Sequence, residues 1–197
     1  LGGLQLASDI SLANAKDLLT IFRWNEQNGI RLFRIGSELF PRWNHYRLED
    51  LPGIDTITKH LRAAGDFARA HGHRVTTHPG PFNILGSPDA RVVDNSIVSL
   101  ERHSELFDLM GYTPSYDNKI NIHIGATYND KTSTINRWLQ NYDRLSDALK
   151  RRLVVENDDK ASMYSVNDLY NMVHKEIGIP ITFDYWHHTF NTGGLSE

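Results

Sequence analysis

The 197-residue chain contains no cysteine. That absence excludes disulfides, thiolate metal sites and cysteine nucleophiles, so any bound metal must be held by imidazole, carboxylate or other oxygen ligands. No stretch approaches the run of about 18 apolar residues that a membrane-spanning helix needs, and no basic segment followed by an apolar run opens the chain. A soluble, unexported, intracellular protein without membrane association is expected; in a prokaryote it would be cytoplasmic and close to the nucleoid. Gly-x-Gly-x-x-Gly and Walker loops are missing too, which lowers dinucleotide and nucleoside-triphosphate readings. There is no internal repeat beyond a strand–helix rhythm, no low-complexity tract and no linker. The net charge of −3 provides no broad basic surface, although a metal cluster and a local arginine patch can still supply positive field to a phosphate.

What is present is ordinary globular composition, 40% hydrophobic and 23% charged, with ten histidines as the unusual feature. Leu12, Ala15, Leu18, Leu19 and Phe22 recur at helical spacing and Gly29 supplies a left-handed stop before an apolar strand at 30–35. The pattern repeats as helix 57–71 with strand 74–78, helix 89–110 with strand 119–124, helix 132–151 with strand 153–156, and helix 166–177 with strand 181–184. Strict alternation implies a parallel sheet with right-handed crossovers, either doubly wound or a (β/α)8 TIM barrel. The polar residues favour the barrel, because Glu38, His78, His123, Glu156 and Asp184 all stand at or just past strand C-termini, the face on which barrel enzymes build active sites. A barrel needs eight strands, so residues 1–197 are expected to form a single but incomplete barrel domain, a fragment supplying roughly the second to the sixth strand.

The chemistry-bearing set is His78, His123, Glu156, Asp184 and His187, with His45 and Glu38 on the first rim loop. Imidazole with carboxylate suits Zn²⁺, Mn²⁺ or Fe²⁺, and converging acidic groups without a cation would repel one another. Arg31, Arg34, Arg42 and Arg47 surround the loop that also carries Trp43, His45 and Tyr46, a basic and aromatic mixture able to grip phosphates and stack bases. By contrast, His60, His71, His73, His103 and His174 read as solvated or helix-terminal, Lys150-Arg151-Arg152 as a water-facing charge run, and Trp24 and Trp138 as core. Trp186 reads equally as core or as a wall of the metal pocket.

The string Phe33-Arg34-Ile35-Gly36-Ser37-Glu38-Leu39-Phe40-Pro41, the turn His78-Pro79-Gly80, and Gly86-Ser87-Pro88-Asp89, His123-Ile124-Gly125-Ala126, Glu156-Asn157-Asp158-Asp159 and Asp184-Tyr185-Trp186-His187-His188 together resemble, in order, the UV damage endonuclease family. The resemblance implies a TIM barrel that nicks damaged double-stranded DNA 5′ to ultraviolet photoproducts and other lesions. It implies a divalent metal cluster, Mn²⁺ first with Zn²⁺ or Mg²⁺ as alternatives, on His78, His123, Glu156, Asp184 and His187, with Glu156 bridging two ions. His45 falls where the family has a histidine near the scissile phosphate, making His45 and Glu156 the expected catalytic residues. DNA contacts are expected from Arg42, Trp43, Tyr46, Pro81 and Phe82. Two departures stand out: further ligands of the family lie on strands this chain does not reach, and Pro81-Phe82 replaces the family's wedging Gln-Tyr pair. A monomer is expected. The rival readings are a divalent-metal sugar isomerase or epimerase on the same barrel, which the arginine-rich loop disfavours, and a chain that binds damaged DNA without cutting it.

Overall fold

The computed structural model describes residues 2–196. Five strands, β1 (Leu32–Ile35), β2 (Arg74–Thr77), β3 (Ile120–Ile122), β4 (Leu153–Glu156) and β5 (Ile181–Thr182), form one parallel sheet. Their spatial order is β1-β2-β3-β4-β5. A doubly wound sheet reverses order at a switch point, whereas consecutive order throughout is that of a barrel wall. The α/β reading therefore holds, and the sheet is an arc of a barrel.

Helix α1 (Gly2–Gln27) buries Ala7, Ser11, Ala15, Leu18, Phe22 and Asn25 along one face and packs on α2 (Ile54–Ala70). It starts earlier than the apolar periodicity indicates, since that periodicity is diluted by Gly2, Gly3 and polar residues. Trp24 is 57% exposed, contrary to the expectation of core packing. Two residues beyond the inward-facing Phe22, it lies roughly 200° further round the helix and faces out. Helices α3 (Ala90–Leu109) and α4 (Lys131–Tyr142) follow β2 and β3. The expected single helix over 132–151 is broken, because the Ser146 hydroxyl accepts from Leu149 N at 3.2 Å and caps a separate short helix, α5 (Asp147–Lys150). The Glu101 carboxylate fixes that break by accepting from both Ser146 N and Oγ at 2.8 Å. Between β4 and β5 the helical segment comprises α6 (Val166–Leu169), a π-turn at Tyr170–His174 and α7 (Lys175–Ile177). Gly29, Gly72, Gly111 and Gly178 all adopt positive φ at these helix ends, the left-handed stop that their spacing signals.

Arg152 overturns the reading of a water-facing charge run: Arg151 is exposed, but Arg152 is fully buried at the N-terminal end of β4. Its backbone carbonyl already accepts from Ile120 N at 2.8 Å, so the residue belongs to the sheet and its side chain must turn inward. The guanidinium donates to Asn118 Oδ1 (2.7 Å), the Ser104 carbonyl (2.8 Å) and hydroxyl (2.7 Å), Asp108 Oδ1 (2.8 Å) and the Tyr112 carbonyl (2.9 Å). It ties α3 to the floor of the sheet, with every N–H used. His73 is also buried, with Nε2 2.7 Å from Glu26 Oε2, and lowers the pKa of that carboxyl through the hydrogen bond. Trp138 is core, as expected.

Removing the buried guanidinium leaves the acceptors of Asn118, Ser104 and Tyr112 unpaired and opens a void, so Arg152→Ala is expected to lower unfolding stability by about 3 kcal/mol, the exposed Asp108 contributing little. The exposed neighbour gives the control: Arg151→Ala should stay within about 0.5 kcal/mol of the parent, both read by urea unfolding.

Candidate metal centre

The C-terminal ends of β2, β3, β4 and β5 deliver their side chains to one rim. Glu156 ends β4, and it is 4% exposed. Its carboxylate is surrounded by imidazoles: His78 Nδ1 lies 3.9 Å from Oε2, while His123 Nε2 and His187 Nδ1 lie 3.7 Å and 3.5 Å from Oε1. Among the described residues no lysine or arginine makes an ion pair with it, and Asn121 Nδ2 donates to Oε2. Two triads come within ligand spacing, His78–His123–Glu156 and Glu156–Asp184–His187, and both contain Glu156. The expected five residues thus converge, and the glutamate stands between the two groups.

The backbone after β4 explains the convergence. Asn157, fully buried, clamps the end of β5: its Nδ2 donates to the Asp184 carbonyl at 3.0 Å and its Oδ1 accepts from Asp184 N at 2.8 Å. Asp184 then caps α8 (Tyr185–Phe190) by accepting from His187 N at 2.8 Å, which turns His187 back over the rim. The His187 Nδ1–H donates to the Asn157 carbonyl at 2.8 Å, leaving Nε2 with the lone pair. Asp158 does the same for His123. Its Oδ1 is 3.2 Å from His123 Nδ1, so Nδ1 carries the proton and Nε2 presents its lone pair toward Glu156. Asp158 is held in turn by Tyr164, whose carbonyl accepts from Asp158 N at 2.8 Å, and by Asn191, which donates to the Asp158 carbonyl at 3.2 Å.

The electrostatics of the two rings differ. Burial pushes the His78 imidazole below its ordinary pKa, opposed by the Glu156 carboxylate, and its Nδ1 is buried with no hydrogen-bond partner among the described residues. For His123 burial acts downward, but the Asp158 hydrogen bond and the Asp158 and Glu156 charges outweigh it and raise the pKa. The spacing of 3.5–3.9 Å between the buried carboxylate and one nitrogen of each of three imidazoles, the protonated Nδ1 in the case of His187, is too long for hydrogen bonding to the rings. It matches donor atoms sharing an ion at about 2.0–2.2 Å each. The donor set, nitrogen and carboxylate oxygen without sulfur, fits a divalent ion.

Other expected residues distribute differently. His45 and Glu38 are exposed and line a neighbouring cavity with Gly80 and Phe82 instead of joining the cluster. Arg42 is exposed in a left-handed conformation, φ 51°. Trp43 is corrected: it is buried, stacked on Phe40 and edge-on to His103, because the tight turn after Arg42 swings its ring into the core. Only 5% of it is exposed, which leaves little for a base to stack on. Tyr46 is half-buried and its hydroxyl donates to the Pro41 carbonyl at 2.8 Å, bracing the loop from within. Pro81 is exposed and Phe82 is 85% exposed, so the phenylalanine does not pack inward. Trp186, 68% exposed, is neither core nor pocket wall. His103, read as solvated, is buried. Sequence reasoning gave no roles to Asn121, Asn157 and Asp158; the one available signal was that Asn157 and Asp158 directly follow a strand-end glutamate.

The fold and site define a barrel-type α/β protein whose strand C-termini gather an imidazole–carboxylate centre suited to divalent metal. The chain belongs to the UV-endonuclease UvdE family, whose sequence model matches residues 2–196. It is 41% identical to the UV-damage endonuclease of Neurospora crassa, over 99% of this chain and 30% of that protein. It is 35% identical to the UV DNA damage endonuclease of Clostridium perfringens, over 90% of this chain and 42% of that one. The crystal structure of SacUVDE superposes with a TM-score of 0.86 at 35% identity, covering 95% of this chain and 62% of that one. The chain therefore spans less than half the length of these two curated relatives. Among the described residues no helix is long and apolar enough to cross a membrane.

If Glu156 carries the charge that two ions share, Glu156→Gln should abolish tight Mn²⁺ or Zn²⁺ binding in calorimetric titration while leaving the fold intact by circular dichroism. Asp158→Asn, which removes the negative charge from the acceptor orienting His123, should weaken metal binding by about 10–100-fold. Unchanged affinity in Asp158→Asn would show that His123 needs no such partner.

Proposed function

We propose that this chain carries the metal-holding part of a DNA repair endonuclease that hydrolyses one strand of damaged duplex DNA 5′ to ultraviolet photoproducts and other lesions, leaving 3′-hydroxyl and 5′-phosphate ends. The observation that carries the reading is the buried Glu156 carboxylate shared by two ligand triads at the strand C-termini. Family membership and the names of the relatives support the substrate class.

In this reading His78, His123, Glu156, Asp184 and His187 hold a divalent cluster, Mn²⁺ first, with Zn²⁺ and Mg²⁺ as alternatives. Such a cluster supplies Lewis-acid charge to the phosphate and lowers the pKa of the attacking water. The protein's own contributions are positional. Asn157 and Asp158 lock the tautomers of His187 and His123, so their lone pairs are preset before substrate arrives. Asn121 holds the Glu156 carboxylate at one oxygen, limiting its rotation. His45, exposed on the rim loop, would hydrogen-bond a phosphoryl oxygen, and Arg42, exposed three residues before it, would offer charge to the flanking backbone. Phe82 presents an exposed ring with no polar tip, and Pro81 has no amide N–H, so lesion recognition rests on duplex deformability and stacking more than on base edges. Arginines on the rim loop favour a polyanion over a neutral sugar.

The decisive experiment is a nicking assay on ultraviolet-irradiated supercoiled plasmid with added Mn²⁺. Dose-dependent conversion to open circles is expected of a protein that joins this chain to the family's later strands, with little or no turnover from these residues alone; Glu156→Gln should be slower by orders of magnitude, and equal nicking of unirradiated plasmid would overturn lesion recognition. Phe82→Ala should reduce the preference for damaged over intact duplex by about 1–3 kcal/mol at fixed salt, with metal content unchanged.

A further inference from the structure

Asn121 stands in the middle of β3, a place where asparagine is a poor strand former, and Ile120 and Ile122 on either side of it are buried on the opposite face of the sheet. Strand alternation turns Asn121 to the face that carries His123. Its partner across the ladder is Val154, so it lies diagonally across from Glu156, two residues further along β4. The side chain is 4% exposed. Its Nδ2 donates to Glu156 Oε2, and its Oδ1 is enclosed with no hydrogen-bond partner among the described residues. Chemistry fixes which way the amide points, since an ionised carboxylate only accepts and only the NH₂ end can meet it.

An apolar residue of similar size would fill this position without stranding a carbonyl oxygen in the interior. What the asparagine supplies in return is one directed donor, and among the described residues it alone donates a hydrogen bond to the Glu156 carboxylate. The two oxygens of that carboxylate face different rings. Oε2 is 3.9 Å from His78 Nδ1, whereas Oε1 is 3.7 Å from His123 Nε2 and 3.5 Å from His187 Nδ1. The last torsion of a glutamate is broad, so an untethered carboxylate turns readily between two uses: one oxygen for each of two ions, or both oxygens on a single ion. A hydrogen bond to Oε2 alone makes the oxygens unequal. It occupies one lone-pair direction of Oε2 and holds that oxygen on the His78 side, leaving Oε1 toward His187. The division matters because both ligand triads, each with its donor atoms within 4.8 Å of one another, draw on the same glutamate.

Resting on the reading of this rim as a two-ion centre, we propose that Asn121 is a positioning residue that commits Glu156 to serving both triads, one oxygen to each, and keeps a single ion from taking both oxygens. Asn121 itself ligates nothing. Strand β3 thereby has a second task besides delivering His123: through a side chain one turn of the pleat below the rim, it decides how many ions the rim holds.

The test is calorimetric titration of the chain with Mn²⁺, joined to electron paramagnetic resonance at each stage of filling. The parent is expected to take up two ions and, when both are bound, to show the exchange-coupled signal of a manganese pair. Asn121→Leu, close in volume and without a donor, should bind the first ion with little change, bind the second about 10–100-fold more weakly, and lose the coupled signal. Asn121→Val, a β-branched residue suited to a strand interior, covers the case in which leucine is not accommodated and should show the same split. Far-ultraviolet circular dichroism and the urea midpoint report the folding of both variants. An asparagine that only eases the burial of a carboxylate would, on removal, weaken both binding steps alike or shift the urea midpoint alone. Either result overturns the proposal, as does a coupled pair that survives in both variants, and in these cases a parent holding two ions leaves the metal centre standing. A parent that binds one ion or none overturns the two-ion centre itself, and the role of Asn121 with it.

Discussion

A carboxylate buried at the end of a strand, with imidazoles, one amide and a second carboxylate around it, is the constraint on which the rest of the site depends. Glu156 has left water without a lysine or arginine among the described residues to receive its charge. Such a group is tolerable where positive charge arrives from elsewhere, and the surrounding rings are arranged to share that charge. The residues immediately after it do the arranging. Asn157 and Asp158 direct two histidines by their outer nitrogens, so a single turn of chain after β4 governs donors that arrive from β3 and α8.

The fold was largely legible in the sequence because a barrel wall is made of local statements: an apolar helix face, a glycine stop, a short apolar strand. Each was readable alone; parallel pairing left a doubly wound sheet and a barrel open, and the polar residues at the strand ends favoured the barrel, whose strand order is consecutive. The five converging site residues were legible for a related reason, since the C-terminal end of every strand opens on one rim. The directing partners were not. An asparagine after a strand has no signature that distinguishes a clamp from a solvated turn, and Asn157 acquires its meaning only when β5 lies beside β4.

The misreadings share one physical cause. Trp43, Arg152 and His103 were assigned to the surface because of their polarity or their loop and helix-end positions, yet all three point inward. Arg152 can do so because five acceptor contacts meet its fork, and Trp43 because its large apolar area outweighs the irregular backbone that carries it. Conversely Trp24 and Trp186 were assigned inward by bulk and point out. Composition identifies which side chains gain by burial; only the angle around the helix or turn decides which of them can reach the interior.

The consecutive strand order has a kinetic side. Every sheet pairing joins strands that are neighbours in the chain, from Leu32 with Arg74 to Glu156 with Thr182, so no strand must wait for a distant partner before it can dock. Loop closure is repaid one βα unit at a time, and ordering can spread along the sheet as it does along a repeat array. The ion-binding rim draws on the ends of β2, β3, β4 and β5 together, so it is assembled only when that relay has passed through all of them. The centre thus forms only once all four of those strands have docked, and a lapse in any intermediate unit would leave a largely ordered polypeptide with its donors scattered.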